Sequence, residues 1–117
     1  MLSSEVMVDK IISLLLEKKG EDILALNLKR LSPITDYFVI TTANSSVHAQ
    51  SLADTILEGL KKEGQLPHHI EGYTGAQWIL LDYIDCVVHI FLKEIREFYG
   101  LERLWGDAPR YGIKKII

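Results

Sequence analysis

One cysteine, Cys86, occurs in 117 residues, so an internal disulfide is excluded and a reducing compartment fits. An apolar run of membrane-spanning length is also missing. A span needs about 20 apolar residues free of charge, and the most apolar stretch, WILLDYIDCVVHIF from Trp78 to Phe91, is shorter and carries Asp82 and Asp85. The first residues do not read as a secretory signal, because Glu5, Asp9 and Lys10 interrupt the apolar run that opens the chain. A cytoplasmic address and no membrane association are expected. Basic clustering is lacking too: Lys18-Lys19, Lys29-Arg30 and Lys61-Lys62 are scattered pairs in a chain of net charge −3. Without a phosphate-tracking stripe, little or no direct nucleic-acid binding is expected. Internal repeats, linkers and low-complexity segments are absent from the sequence.

What is present is a globular composition, 48% hydrophobic and 25% charged. The length is near the commonest size of one domain, so residues 1–117 are expected to share one core, with 110–117 (RYGIKKII) a loose tail. From Ser4 to Lys19, helical spacing of Val8, Ile11, Ile12 and Leu15 predicts an amphipathic helix. Leu24, Leu26 and Leu28 alternate as on a strand, and YFVIT has the β-branched and aromatic content of a second one, paired with the first like a hairpin. Asn44, Ser45 and Ser46 can cap a helix whose stripe is Leu52, Ala53, Ile56, Leu57 and Leu60, ended at Gly64. Around Ile70 the sequence predicts an edge strand. Trp78–Tyr83 and Cys86–Phe91 then form a hairpin, with Trp78, Leu80 and Asp82 on one face and Ile79, Leu81 and Tyr83 on the other. A short helix from about Glu94 toward Leu104, stopped by Gly106 and Pro109, completes an α/β (α+β) domain.

Candidate chemistry is thin. Asp82 and Asp85 could hold Mg²⁺, but aspartates three apart most simply bracket a turn. Cys86 and His89 differ by an odd number of residues and so face opposite ways on a strand, which separates a nucleophile from its base. Cys86 is expected in the core. His48, His68 and His69 lack metal-binding spacing and are expected to face solvent. The TTANSS loop has neither a glycine nor a Walker-type lysine, and reads as a helix cap rather than a phosphate cradle. Trp78, Arg96, Tyr99 and Trp105 are of the types that dominate recognition surfaces, while Phe98 and Leu101 are expected in the core. Between Trp78 and Pro109, Asp82, Asp85, Glu94, Glu97, Glu102 and Asp107 face only Lys93, Arg96 and Arg103, which favours a basic partner.

Four strings together resemble the ribosomal silencing factor S, or Iojap-related, family: LSPITDYFVI at 31–40, ANSSVHAQSLAD at 43–54, WILLDYIDCVVHIF at 78–91 and EIREFYGLERLWGDAP at 94–109. The resemblance implies a nucleotidyltransferase-like fold with a mixed sheet flanked by helices, without that superfamily's catalytic residues, metal or cofactor. It further implies binding to ribosomal protein fourteen of the large subunit (uL14), a steric block to joining of the small subunit when nutrients are scarce, and a homodimer. The partner-binding residues it carries over are Trp78, Leu80, Leu81, Asp82, Arg96, Glu97, Tyr99 and Trp105. Organelle relatives carry targeting extensions that this sequence lacks, which favours a bacterial cytoplasmic member.

One position departs from the family, which usually has glycine where this chain has Ile84. A β-branched residue is strained at φ > 0, so a different turn is expected here. Two alternatives stand beside the family reading: an Mg²⁺-dependent nucleotidyltransferase using Asp36 or Asp82 with Asp85, and a dimeric scaffold with no ribosomal role.

Overall fold

The computed structural model describes residues 2–111. Ser3 caps the first helix, α1 (Ser4–Glu17), by accepting a hydrogen bond from the Val6 amide, and Met7, Val8, Ile11, Ile12 and Leu15 form its buried stripe. Two strands follow, β1 (Glu21–Asn27) and β2 (Tyr37–Ala43), paired antiparallel. Ser45 caps α2 (Ser46–Lys61) through the His48 amide, and its apolar stripe buries Leu52, Ala53, Ile56 and Leu60. The short β3 (His69–Glu71), β4 (Trp78–Asp82) and β5 (Cys86–Leu92) complete the sheet, and α3 (Lys93–Tyr99) and α4 (Leu101–Leu104) end the described fold.

The strand order is β1-β2-β5-β4-β3, with β2 and β5 parallel and the other neighbours antiparallel. Alternation then assigns every strand residue to one of two faces. Ile23, Ala25, Val39, Ile79, Leu81, Cys86, Val88 and Ile90 pack with α1 and α2 in the main core. On the opposite face, Leu24, Leu26, Leu28, Ile40, Phe91 and Ala108 make a smaller core, against which Phe38, Trp78, Ile95, Leu101 and Trp105 pack in part. Leu52 and Ile56 are wholly buried, so truncating either to alanine removes transfer energy and leaves a void. At the open end of α1, Glu5 accepts from Lys29 and from the Tyr37 hydroxyl, which tie the helix to β2 and hold the Glu5 carboxyl down to about 2.

Several expectations fail for identifiable reasons. The helix predicted toward Leu104 breaks at Gly100, which takes φ 57 and ends α3 in the left-handed conformation that lacks a Cβ penalty. Arg110 and Tyr111 are not loose: Arg110 bridges to Leu26, the Tyr111 amide donates to Ala25 O, and its hydroxyl donates to Asp9. The rest of the expected tail, 112–117, lies outside the described residues. Ile84 does not avoid a positive φ, but sits at 72°, with Asp82 Oδ1 accepting its amide at 2.7 Å. The turn geometry outweighs the cost of the β-branched side chain. His48 is not a free solvent-facing residue either, because Nδ1 accepts from the Asn44 amide while Nε2 lies 2.9 Å from Lys18 O, clamping the end of α1 to the start of α2. His69, as expected, is exposed, and pairs with Glu71.

Candidate functional site

The face of the sheet opposite α1 and α2 carries most of the predicted contact residues. On β4, Trp78, Leu80 and Asp82 are half-buried, whereas Ile79 and Leu81 between them are fully buried in the main core. Leu81 is therefore not open to a partner in this structure, unlike Leu80 beside it. Gly72 lets the preceding loop pass close to β4: it takes φ 75, and a Cβ there would lie 2.1 Å from the Trp78 carbonyl oxygen.

From Trp78 an aromatic array runs across the face. Its ring centroid lies 4.7 Å from that of Phe91 and 4.9 Å from that of Tyr99, and Tyr99 meets Phe98 edge-on at 5.0 Å. In the other direction, Phe38 packs edge-on against His89 at 4.6 Å and against Trp105 at 6.0 Å. Tyr99 is 52% exposed and Phe98 78%, while Trp78 and Trp105 are half-buried. Leu104, on the neighbouring α4, is 75% exposed. Large apolar groups left open in this way mark contact surfaces.

Arg96 belongs to the support of this face and not to its surface. Its Nη1 donates to Asp22 O and Thr42 Oγ1, both at 2.8 Å, and its Nε donates to Glu102 at 3.0 Å. With its side chain only 11% exposed, it braces α3 and α4 against the ends of β1 and β2. Glu97 is exposed, and Asp82 spends one carboxylate oxygen on the hairpin turn.

Phe98 was expected in the core and is instead the most exposed ring of the array. Ile95, Phe98 and Leu101 share a three-residue spacing that reads as one apolar stripe on a continuous helix. Within α3, however, Phe98 is left exposed, while Ile95 and, beyond the break at Gly100, Leu101 pack in part against the smaller core. Phe38 and His89 were not anticipated as members of the array. The signal for them was the parity of β2 and β5, which sets Phe38 opposite Val87 and His89 opposite Leu80.

Other candidate chemistry does not assemble. Cys86 is wholly buried, and burial pushes its thiol up to about 12, away from the nucleophilic thiolate. His89 is on the opposite face, its imidazole lowered to about 4 by burial. Among the described residues no three His, Cys, Asp or Glu side chains group as metal ligands. Asp36 and Asp85 meet at the start of β2 and β5, where Asp85 O accepts the Asp36 amide. Asn44 and Ser45 lie at the other end of β2, beside a crevice of about 460 Å³ that also includes Thr42, Gln77 and Lys93. Seven strand residues separate the carboxylates from that crevice by about 20 Å, so they cannot act on one nucleotide.

Comparison with known proteins identifies the family and the fold. Residues 2–116 match the family described as "Ribosomal silencing factor during starvation". The ribosomal silencing factor RsfS of Halalkalibacterium halodurans is 41% identical over 101 residues, spanning 86% of each chain. RsfS of Bacillus subtilis is 43% identical over 93 residues, covering 80% of this chain and 79% of the relative. A crystal structure of a protein from Chromobacterium violaceum superposes with a TM-score of 0.87 at 30% identity, covering 90% of this chain and 88% of that one. Fold, motifs and overall match thus converge, and the chain belongs to the ribosomal silencing factor family, whose members silence ribosomes and are not enzymes.

Proposed function

We propose that this chain silences ribosomes by laying the open face of its sheet on ribosomal protein fourteen of the large subunit, where it obstructs joining of the small subunit. The observation that carries the reading is the array Trp78–Tyr99–Phe98, in which Tyr99 and Phe98 are exposed, with Leu80 two residues along β4 and the exposed acidic Glu97 next to Phe98 in α3. Aromatic anchors with a charged rim suit a protein partner. Six acidic residues against three basic ones between Trp78 and Pro109 favour a basic one. Trp78, Leu80, Asp82, Glu97, Tyr99 and Trp105 remain in the proposed contact set; Phe98 and Leu104 join it, and Arg96 supports it from beneath.

Action in the cytoplasm and self-association belong to the same proposal. No described helix is long and apolar enough to cross a membrane. The strand β3 lies at the edge of the sheet, with Ile70 42% and Leu66 69% exposed. Such an edge is a template for pairing with a second copy. Light scattering at micromolar concentration tests this: a dimer is expected, and a strict monomer contradicts it. For the ribosomal face, binding of the purified large-subunit protein is measured for Tyr99→Ala and Phe98→Ala. Weakened binding by folded variants supports the reading, and unchanged binding by both removes it.

A further inference from the structure

The Trp78 indole is held from behind by a buried histidine. Trp78 Nε1–H donates to Nδ1 of His89 at 3.1 Å, and His89 is only 3% exposed. An accepting Nδ1 places the ring proton of a neutral imidazole on Nε2. That Nε2 is buried with no hydrogen-bond partner among the described residues. A buried, unpaired N–H is unfavourable, and the surroundings give packing no reason to prefer histidine. Phe38 lies edge-on to the ring at 4.6 Å, and Phe91 stacks parallel to it within 14°, with centroids 6.1 Å apart. Phenylalanine would fill the same space without an orphaned donor. What it could not do is accept the indole proton. The contacts of Trp78 with Phe91 and Tyr99 are tilted, at 32° and 49°, and are less directional than a hydrogen bond.

We propose that His89 is a positioning residue for partner binding, whose Nδ1 fixes the Trp78 indole in the orientation the open face presents. This rests on the reading of that face as the ribosomal contact. Its immediate consequence, the tautomer, does not.

The test combines nuclear magnetic resonance with binding to purified large subunits. In the unsubstituted protein at neutral pH, long-range ¹⁵N correlation is expected to show His89 with its proton on Nε2. His89→Phe should speed exchange of the Trp78 indole proton at least tenfold and weaken large-subunit binding about tenfold. His89→Asn, which puts a carbonyl oxygen near the place of Nδ1, should restore both. In a Trp78→Phe background, His89→Phe should cause no further loss, an outcome that a general packing defect would not produce. If His89→Phe does not fold, His89→Leu serves as the acceptor-free variant, and the tautomer is read without substitution. A proton on Nδ1, or an equal loss of binding with and without Trp78, overturns the role of His89. Full binding by Trp78→Phe together with the Nε2–H tautomer instead shows that the surface reading failed, and the positioning role falls with it.

Discussion

The rings of Trp78 and Tyr99 lie 4.9 Å apart at 49°, joining a half-buried strand residue to a half-exposed helix residue. The pair separates two roles. Tyr99 contributes surface, so Tyr99→Ala should weaken large-subunit binding by about 2 kcal/mol or more if it is an anchor, with thermal stability nearly unchanged. Trp78 also packs on Phe91, and Trp78→Ala should cost about 3 kcal/mol of folding stability as well. Calorimetry and binding on the same two variants test the division; equal melting losses would contradict it.

Arg96 offers a prediction of the opposite kind. Its guanidinium satisfies a carbonyl, a hydroxyl and a carboxylate, and loss of bonds to a charged group costs about 1.5 to 3 kcal/mol. Arg96→Ala is therefore expected to lower the urea midpoint. Its effect on binding, per folded molecule, should be smaller than that of Tyr99→Ala. A stable variant with abolished binding would make Arg96 a contact after all.

Acidification should destabilise the fold in a window set by His89. Burial lowers its imidazole from 6.5 in the unfolded chain to about 4, so between those values the unfolded state binds more protons. Stability from this source is complete above about pH 6.5 and falls as pH drops, by roughly 3 kcal/mol on reaching pH 4. Glu5, held down to about 2 from 4.5, acts lower: its contribution is present above pH 4.5 and is lost toward pH 2. Urea denaturation from pH 7 to 4 checks the first window. His89→Phe should flatten it, and an unchanged slope would exclude His89 as its source.

Relieving the turn should stabilise the protein. Ile84 is 56% exposed and sits at φ 72, a conformation that costs a residue with a Cβ roughly 1 to 2 kcal/mol. Glycine removes that strain but loses more entropy on folding, about 0.5 to 1 kcal/mol. Ile84→Gly is accordingly expected to gain up to about 1.5 kcal/mol in chemical denaturation. A loss would mean that the isoleucine side chain makes a stabilising contact.

What could be read from the sequence was what periodicity carries. The alternation of Leu24, Leu26 and Leu28 and the odd spacing of Cys86 and His89 each fixed a face without knowledge of neighbours, and both assignments match the structure. The same parity, applied to β4, separates Leu80 from Leu81, yet a motif carries both residues as a block. The bracing bonds of Arg96 were not legible because its acceptors, Asp22 and Thr42, are 74 and 54 residues away in the chain, and no local pattern reports such a partnership. Phe98 was misassigned because α3 has only seven residues, too few for a period to show which of its apolar side chains faces outward.

The most direct measurement of the central claim is sedimentation of the protein through sucrose gradients with separated ribosomal subunits, followed by a joining assay. The protein is expected to travel with large subunits and to lower the yield of joined ribosomes, and Tyr99→Ala with Phe98→Ala should reduce both effects in a protein that remains folded. Co-sedimentation with small subunits alone, or undiminished silencing by the folded double variant, would contradict it.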